Sequence, residues 1–175
     1  KSYITSPIGY VFIIFYTLVS NGFFFIVQDF FRSGQVTMRG YFLVLPWIFL
    51  FFVPAITMRL WSEERKLGTI EFLLTVPITE SQIIWGKFLA SLSFLAVTLC
   101  FSLSVPITLA LLGDPDGGVI LGSYVGALLM GGAYLAIGLY FSSLTDNQVV
   151  AFIYSLAVIF SLLLIGIAPQ YLNTL

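Results

Sequence analysis

Along this chain the apolar positions run together in long charge-free stretches, broken by short polar segments. Five stretches stand out: Ile8–Val27, Gly40–Met58, Phe88–Gly113, Gly117–Thr145, and Asn147 onward to Ala168. A bilayer core ~30 Å thick needs about 20 helical residues at ~1.5 Å rise. Each stretch therefore predicts a transmembrane helix, with spans at about 8–27, 40–60, 82–112, 118–142 and 147–168. The last three stretches exceed the minimum, which predicts tilt or interfacial turns.

Helix-start chemistry predicts boundaries independently of hydropathy. Ser6-Pro7 reads as an N-cap followed by proline at the first helical position. Thr79-Glu80-Ser81-Gln82 is a capping-box pattern, with Ile78 and Ile83 placed as a hydrophobic staple. Thr145 with Gln148 repeats the box before the last span. Pro46, Pro54 and Pro106 remove helix hydrogen bonds within the second and third spans and predict kinks.

Composition supports the membrane class. Hydrophobic residues make up 59% and charged residues 9% of the 175, and mean hydropathy is +1.06; soluble domains carry roughly 25% charged residues. The net charge of −1 provides no footprint for nucleic acid. The single cysteine, Cys100, excludes an intrachain disulfide. Lys1 replaces an initiating methionine and the first apolar run lacks a cleavage site, so the sequence reads as a membrane-embedded piece, incomplete at both ends, rather than a secreted protein with its signal.

Lysine and arginine bias predicts orientation. With a cytoplasmic N-terminus, Lys1, Arg59, Arg65, Lys66 and Lys87 lie inside and only Arg32 and Arg39 outside, in keeping with the positive-inside rule. The Gly113–Gly118 turn, with Asp114 and Asp116, then faces outward as a plain loop.

One segment departs from the apolar background. Arg59, Glu63, Glu64, Arg65, Lys66 and Glu71 fall within thirteen positions and cancel in sign. At about 2.5 kcal/mol or more per charge, they exclude this segment from hydrocarbon. Leu67, Ile70, Leu73 and Leu74 recur at helical spacing, which predicts an amphipathic helix beside the membrane. A lipid-adsorbed helix is rich in basic residues; the balanced charge here favours a protein surface. The plainer alternative is a solvated loop.

In the fourth span, Gly118, Gly122 and Gly126 have the spacing of close helix packing, within the subunit or across a dimer seam. The aromatic residues Phe23, Phe24, Phe25, Phe30, Phe31 and Trp47 read as an interfacial belt.

The run Met58–Ile78 closely resembles the signature of type-2 ABC transporter permeases, in which E-E-R-x-x-G-T-x-E-x-L-L-x-x-P follows the second span. The likeness extends to Gly86-Lys87-Phe88, Leu112–Pro115, Tyr134–Gly138, Ser142–Thr145 and Asn147-Gln148, and back to Ser6-Pro7-Ile8. Within the family the chain looks most like the branch associated with gliding motility. The resemblance implies an all-α polytopic membrane protein, with five of six transmembrane helices visible and a cytoplasmic coupling helix at 61–78 between the second and third. It implies that Glu63, Glu64, Arg65, Gly68, Thr69, Glu71 and Leu74 form the surface that meets the ATPase. It further implies ABC ATPase subunits that hold ATP and Mg, a second permease copy, and residence in the bacterial cytoplasmic membrane.

The residues agree that the motor lies elsewhere. The Gly86-Lys87 pair is followed by Phe88 and has Ser81 where a P-loop needs its first glycine. The chain has no histidine and no Gly-x-Ser-x-Gly elbow. Together with the resemblance, which implies the membrane subunit of an exporter, these features lead to the expectation of a chain with no ATPase site and no cofactor of its own. The alternative is a scaffold that passes ATPase motion to an extracytoplasmic accessory protein.

Overall fold

The computed structural model describes residues 7–24, 38–69, 79–113 and 115–172, with backbone alone for 7–8 and 169–172. Seven α-helices follow in order among the described residues: α1 (Pro7–Gly22), α2 (Arg39–Thr57), α3 (Ser62–Lys66), α4 (Glu80–Phe101), α5 (Ser104–Leu112), α6 (Gly117–Leu144) and α7 (Gln148–Leu172). Among these residues there is no strand.

Four helical stretches, Arg39–Lys66, Glu80–Leu112, Gly117–Leu144 and Gln148–Ala168, are long and apolar enough to cross a membrane. The first expected span is described only as a 16-residue helix, about 24 Å at 1.5 Å per residue. Residues 25–27 of that span lie outside the described residues.

The distribution of side chains is that of a protein solvated by lipid. Leu111, Leu121 and Leu129 are 83%, 71% and 71% exposed, while the buried polar residues are all serine or threonine. Most of their hydroxyls bond to backbone of their own helices, as Thr98 Oγ1 does to the Phe94 carbonyl (2.8 Å) and Ser155 Oγ to Ala151 (2.7 Å). Without water to satisfy it, a polar group in the bilayer must find such a partner.

The chain forms two compact units. One takes residues up to Ile48 together with Leu92–Met130, the other Phe49–Ser91 together with residues from Gly131 on.

In the first unit, the third apolar stretch is not one continuous helix. Residues 99–105 tighten into i to i−3 bonds from Ser102 N to Leu99 O (3.0 Å), Leu103 N to Cys100 O (3.1 Å) and Val105 N to Ser102 O (3.1 Å). Pro106 has no N–H to offer the Ser102 carbonyl. The Tyr124 hydroxyl takes that place, donating to Ser102 O at 3.2 Å. Pro46 and Pro54, by contrast, sit inside the continuous α2. Phe24, expected in a lipid-facing belt, is 2% exposed and packs edge-on to Tyr41 at 6.0 Å; Phe25, Phe30 and Phe31 lie outside the described residues.

Helix starts follow local chemistry with two corrections. The Gln82 side chain accepts from the Thr79 backbone N–H at 3.1 Å, which is the returning half of the capping box. Before α7 the cap is Asn147, whose Oδ1 accepts from Val149 N at 3.0 Å; Thr145 instead bonds to Asn147 N (3.2 Å) and shapes the turn. Asp116, read as plain loop, caps α6 by accepting from Gly118 N (2.9 Å) and Val119 N (3.3 Å). Asp114 lies outside the described residues.

In the second unit, α2 and α6 approach closely at Gly138, where a Cβ would stand 2.1 Å from Thr57 Oγ1. A Cβ at Gly122 or Gly126 would meet nothing within 4 Å, and at Gly118 only its own capping Asp116. Among the described residues, the spacing of these three glycines therefore marks no close contact within the chain.

Candidate functional site

The charged segment begins at a tight corner. After α2 the chain turns through Met58–Trp61 into the single turn and a half of α3, which packs against α7. Such a corner leaves backbone groups without helical partners, and the fully buried Ser142 of α6 supplies them. Its Oγ accepts from Trp61 N (3.1 Å) and Ser62 N (3.3 Å) and donates to Met58 O (3.2 Å). Ser62 Oγ also donates to Met58 O.

A second tie runs to α4. Lys87 Nζ lies 2.6 Å from Glu64 Oε2, with the two side chains 14% and 33% exposed. The same ammonium donates to the Leu60 carbonyl and sits 4.1 Å from the Trp61 ring centroid. One lysine thus holds three consecutive features of the corner: a carbonyl, an aromatic face and a carboxylate. On the other side Arg65 approaches Asp146 at 3.9 Å, with side chains 43% and 70% exposed, a pair worth little by itself.

α3 ends at Lys66 and Gly68 takes a left-handed φ of +67°, where a side chain would be strained. Leu67 N bonds to Glu63 O and Gly68 N to Arg65 O, both at 3.0 Å, and Thr69 Oγ1 donates to Glu64 O at 3.2 Å. Glu63, Arg65, Lys66 and Leu67 remain exposed, leaving an outward face of mixed charge with one large apolar side chain.

A family model described as ABC-2 family transporter protein matches residues 15–174. The chain belongs to that family. No curated protein and no solved structure is matched. The protein is accordingly a multi-pass membrane permease subunit of an ABC transporter, a family context that carries an ATPase partner.

The permease's corner gathers several of the residues singled out in the sequence and changes the part some of them play. Glu64 is partly buried against Lys87, unlike the exposed Glu63 beside it. Gly68 serves the backbone turn through its positive φ, and among the described residues its Cβ position is open. Thr69 is engaged with α3's own carbonyl. A single helix through Leu67 and Ile70 is interrupted at Gly68, while Ile70, Glu71, Leu73 and Leu74 lie outside the described residues. Two residues had no role assigned from the sequence, Ser142 and Thr57, and Lys87 was counted only toward orientation. Lys87 carried a legible signal, because a lone charge beside a charge-free span requires a partner.

Proposed function

We propose that the permease works as a type-2 exporter whose segment 61–78 receives the ATPase and passes its motion into the membrane helices. The observation that carries this reading is the corner itself: an exposed face of mixed charge, tied by Lys87 to α4 and by Ser142 to α6. A partner that moves Glu63, Arg65, Lys66 and Leu67 pulls on both ties. Balanced charge around one apolar anchor is suited to a protein rim. ATP and Mg belong to the partner, which performs the hydrolysis. Two permease copies with two ATPases form the working unit, in the bacterial cytoplasmic membrane with the N-terminus inside. The run from Glu63 to Pro77 carries the type-2 permease signature, and within that family the chain most resembles the gliding-motility branch.

A second reading has the same corner driving an extracytoplasmic accessory protein without moving cargo. Proteoliposomes that hold permease and ATPase, energised with external ATP, separate the two. ATP-dependent accumulation of a lipid or glycan in the lumen supports export. ATP turnover without accumulation of any co-purified molecule favours the scaffold.

A further inference from the structure

In the first unit, the break between α4 and α5 is held by side chains of two other helices. Pro106 leaves the Ser102 carbonyl one donor short, and the Tyr124 hydroxyl of α6 stands in at 3.2 Å, 3.0 Å from Ser102 Oγ as well. Just past the break, Asn21 of α1 donates from Nδ2 to Ser104 Oγ at 2.9 Å. Packing adds little to these two bonds. Of the nine residues of α5 only Val105 and Leu109 are buried, and Ile107, Leu111 and Leu112 are exposed. The arrangement is also incompletely bonded, because Asn21 Oδ1 is buried and, among the described residues, has no hydrogen-bond partner. A buried acceptor without a donor penalises the state that buries it. Two side-chain bonds thus hold α5 in a position that a third group opposes.

We propose that residues 101–105 are a hinge on which α5 swings away from α1 and α6, with the Tyr124 hydroxyl and the Asn21 amide as latches of the closed state. A stretch of i to i−3 bonds inside a helical run is a common hinge, and a short helix with few buried contacts is a low-stability element. Movement does not require the break to unfold. When Tyr124 lets go, Ser102 O keeps its bond from Val105 N at 3.1 Å, and α5 resumes its own ladder with Ile107 N on Leu103 O at 3.1 Å. Opening also frees Asn21 Oδ1 to meet water. Use of this hinge as a gate rests on the transport reading; the latch itself does not.

The test uses the permease with its ATPase in detergent, with Cys100→Ser as background. Asn21→Cys with Ser104→Cys, at positions whose polar atoms stand 2.9 Å apart, should cross-link α5 to α1 on oxidation. The cross-link should lower permease-stimulated ATP turnover several-fold, with recovery in reductant. Tyr124→Phe should speed deuterium exchange at the Leu103 and Val105 amides on the order of tenfold, the effect of about one net hydrogen bond, while amides in the middle of α6 stay protected. Adding Pro106→Ala, which returns a backbone donor to Ser102 O, should restore that protection. If the reduced pair shows no stimulated turnover at all, the transport reading fails and the exchange series alone decides the hinge. Failure of the pair to cross-link, full stimulated turnover in the cross-linked permease, unchanged exchange in Tyr124→Phe, or no rescue by Pro106→Ala overturns the proposal.

Discussion

Lys87 on α4 and Glu64 on α3 meet at 2.6 Å across twenty-three positions of sequence, joining the charged segment to a membrane-spanning helix. The pair is neither an exposed surface bridge nor fully enclosed. Breaking it should cost about 1–3 kcal/mol, between the limits for exposed and buried pairs. Glu64→Gln and Lys87→Met should each lower stability in detergent, and the double variant should lose less than the sum of the two. Strict additivity in the denaturation series would remove the coupling.

The Gly138–Thr57 contact yields a sharper contrast. Gly138→Ala places a methyl group 2.1 Å from Thr57 Oγ1 and 2.8 Å from its Cβ, so overpacking should cost about 1–3 kcal/mol despite alanine's better helix propensity. Gly122→Ala meets open space and should fall within about 0.5 kcal/mol of wild type. Melting curves of the two variants in the same detergent decide the matter. Equal melting temperatures would show that α2 and α6 do not approach at Gly138.

Ser142→Ala removes the acceptor for two backbone N–H groups at once. Leaving them unpaired should cost about 1–3 kcal/mol. The local signature is more telling than the global one: amides of Trp61 and Ser62 should exchange with deuterium faster, while those in the middle of α7 stay protected. Unchanged protection at Trp61 would mean that the corner is held by other groups.

The legible part of the fold was the part set by hydropathy. Long apolar runs became helices because lipid demands internally bonded backbone, and the charged run at 59–71 marked the corner for the converse reason. Pairings across the chain were not legible. Gly122 and Gly126 share a spacing with packed glycines, but the contact falls at Gly138, because spacing along one helix does not say which face its neighbour takes. Glu64 looked as exposed as Glu63 from sequence; only the position of Lys87 on another helix separates them. The turn at Gly68 was not legible either, since a positive φ leaves no periodic trace. The Tyr124 hydroxyl that relieves Pro106 was likewise invisible, being eighteen positions further along the chain.

The central claim is that the outward face of α3 receives the ATPase, and the most direct test is co-purification and turnover of the ATPase with Glu63→Lys and Leu67→Asp permeases. Both side chains are exposed, Leu67 by 68%, so the isolated variants should melt as wild type does. Reversing one rim charge and charging the apolar anchor should nevertheless release the ATPase in a pull-down, or leave it bound with its turnover no longer stimulated, as expected when a partly buried contact loses several kcal/mol. If both variants retain the ATPase and its stimulated turnover at wild-type levels, the corner is only a solvated loop between two membrane helices.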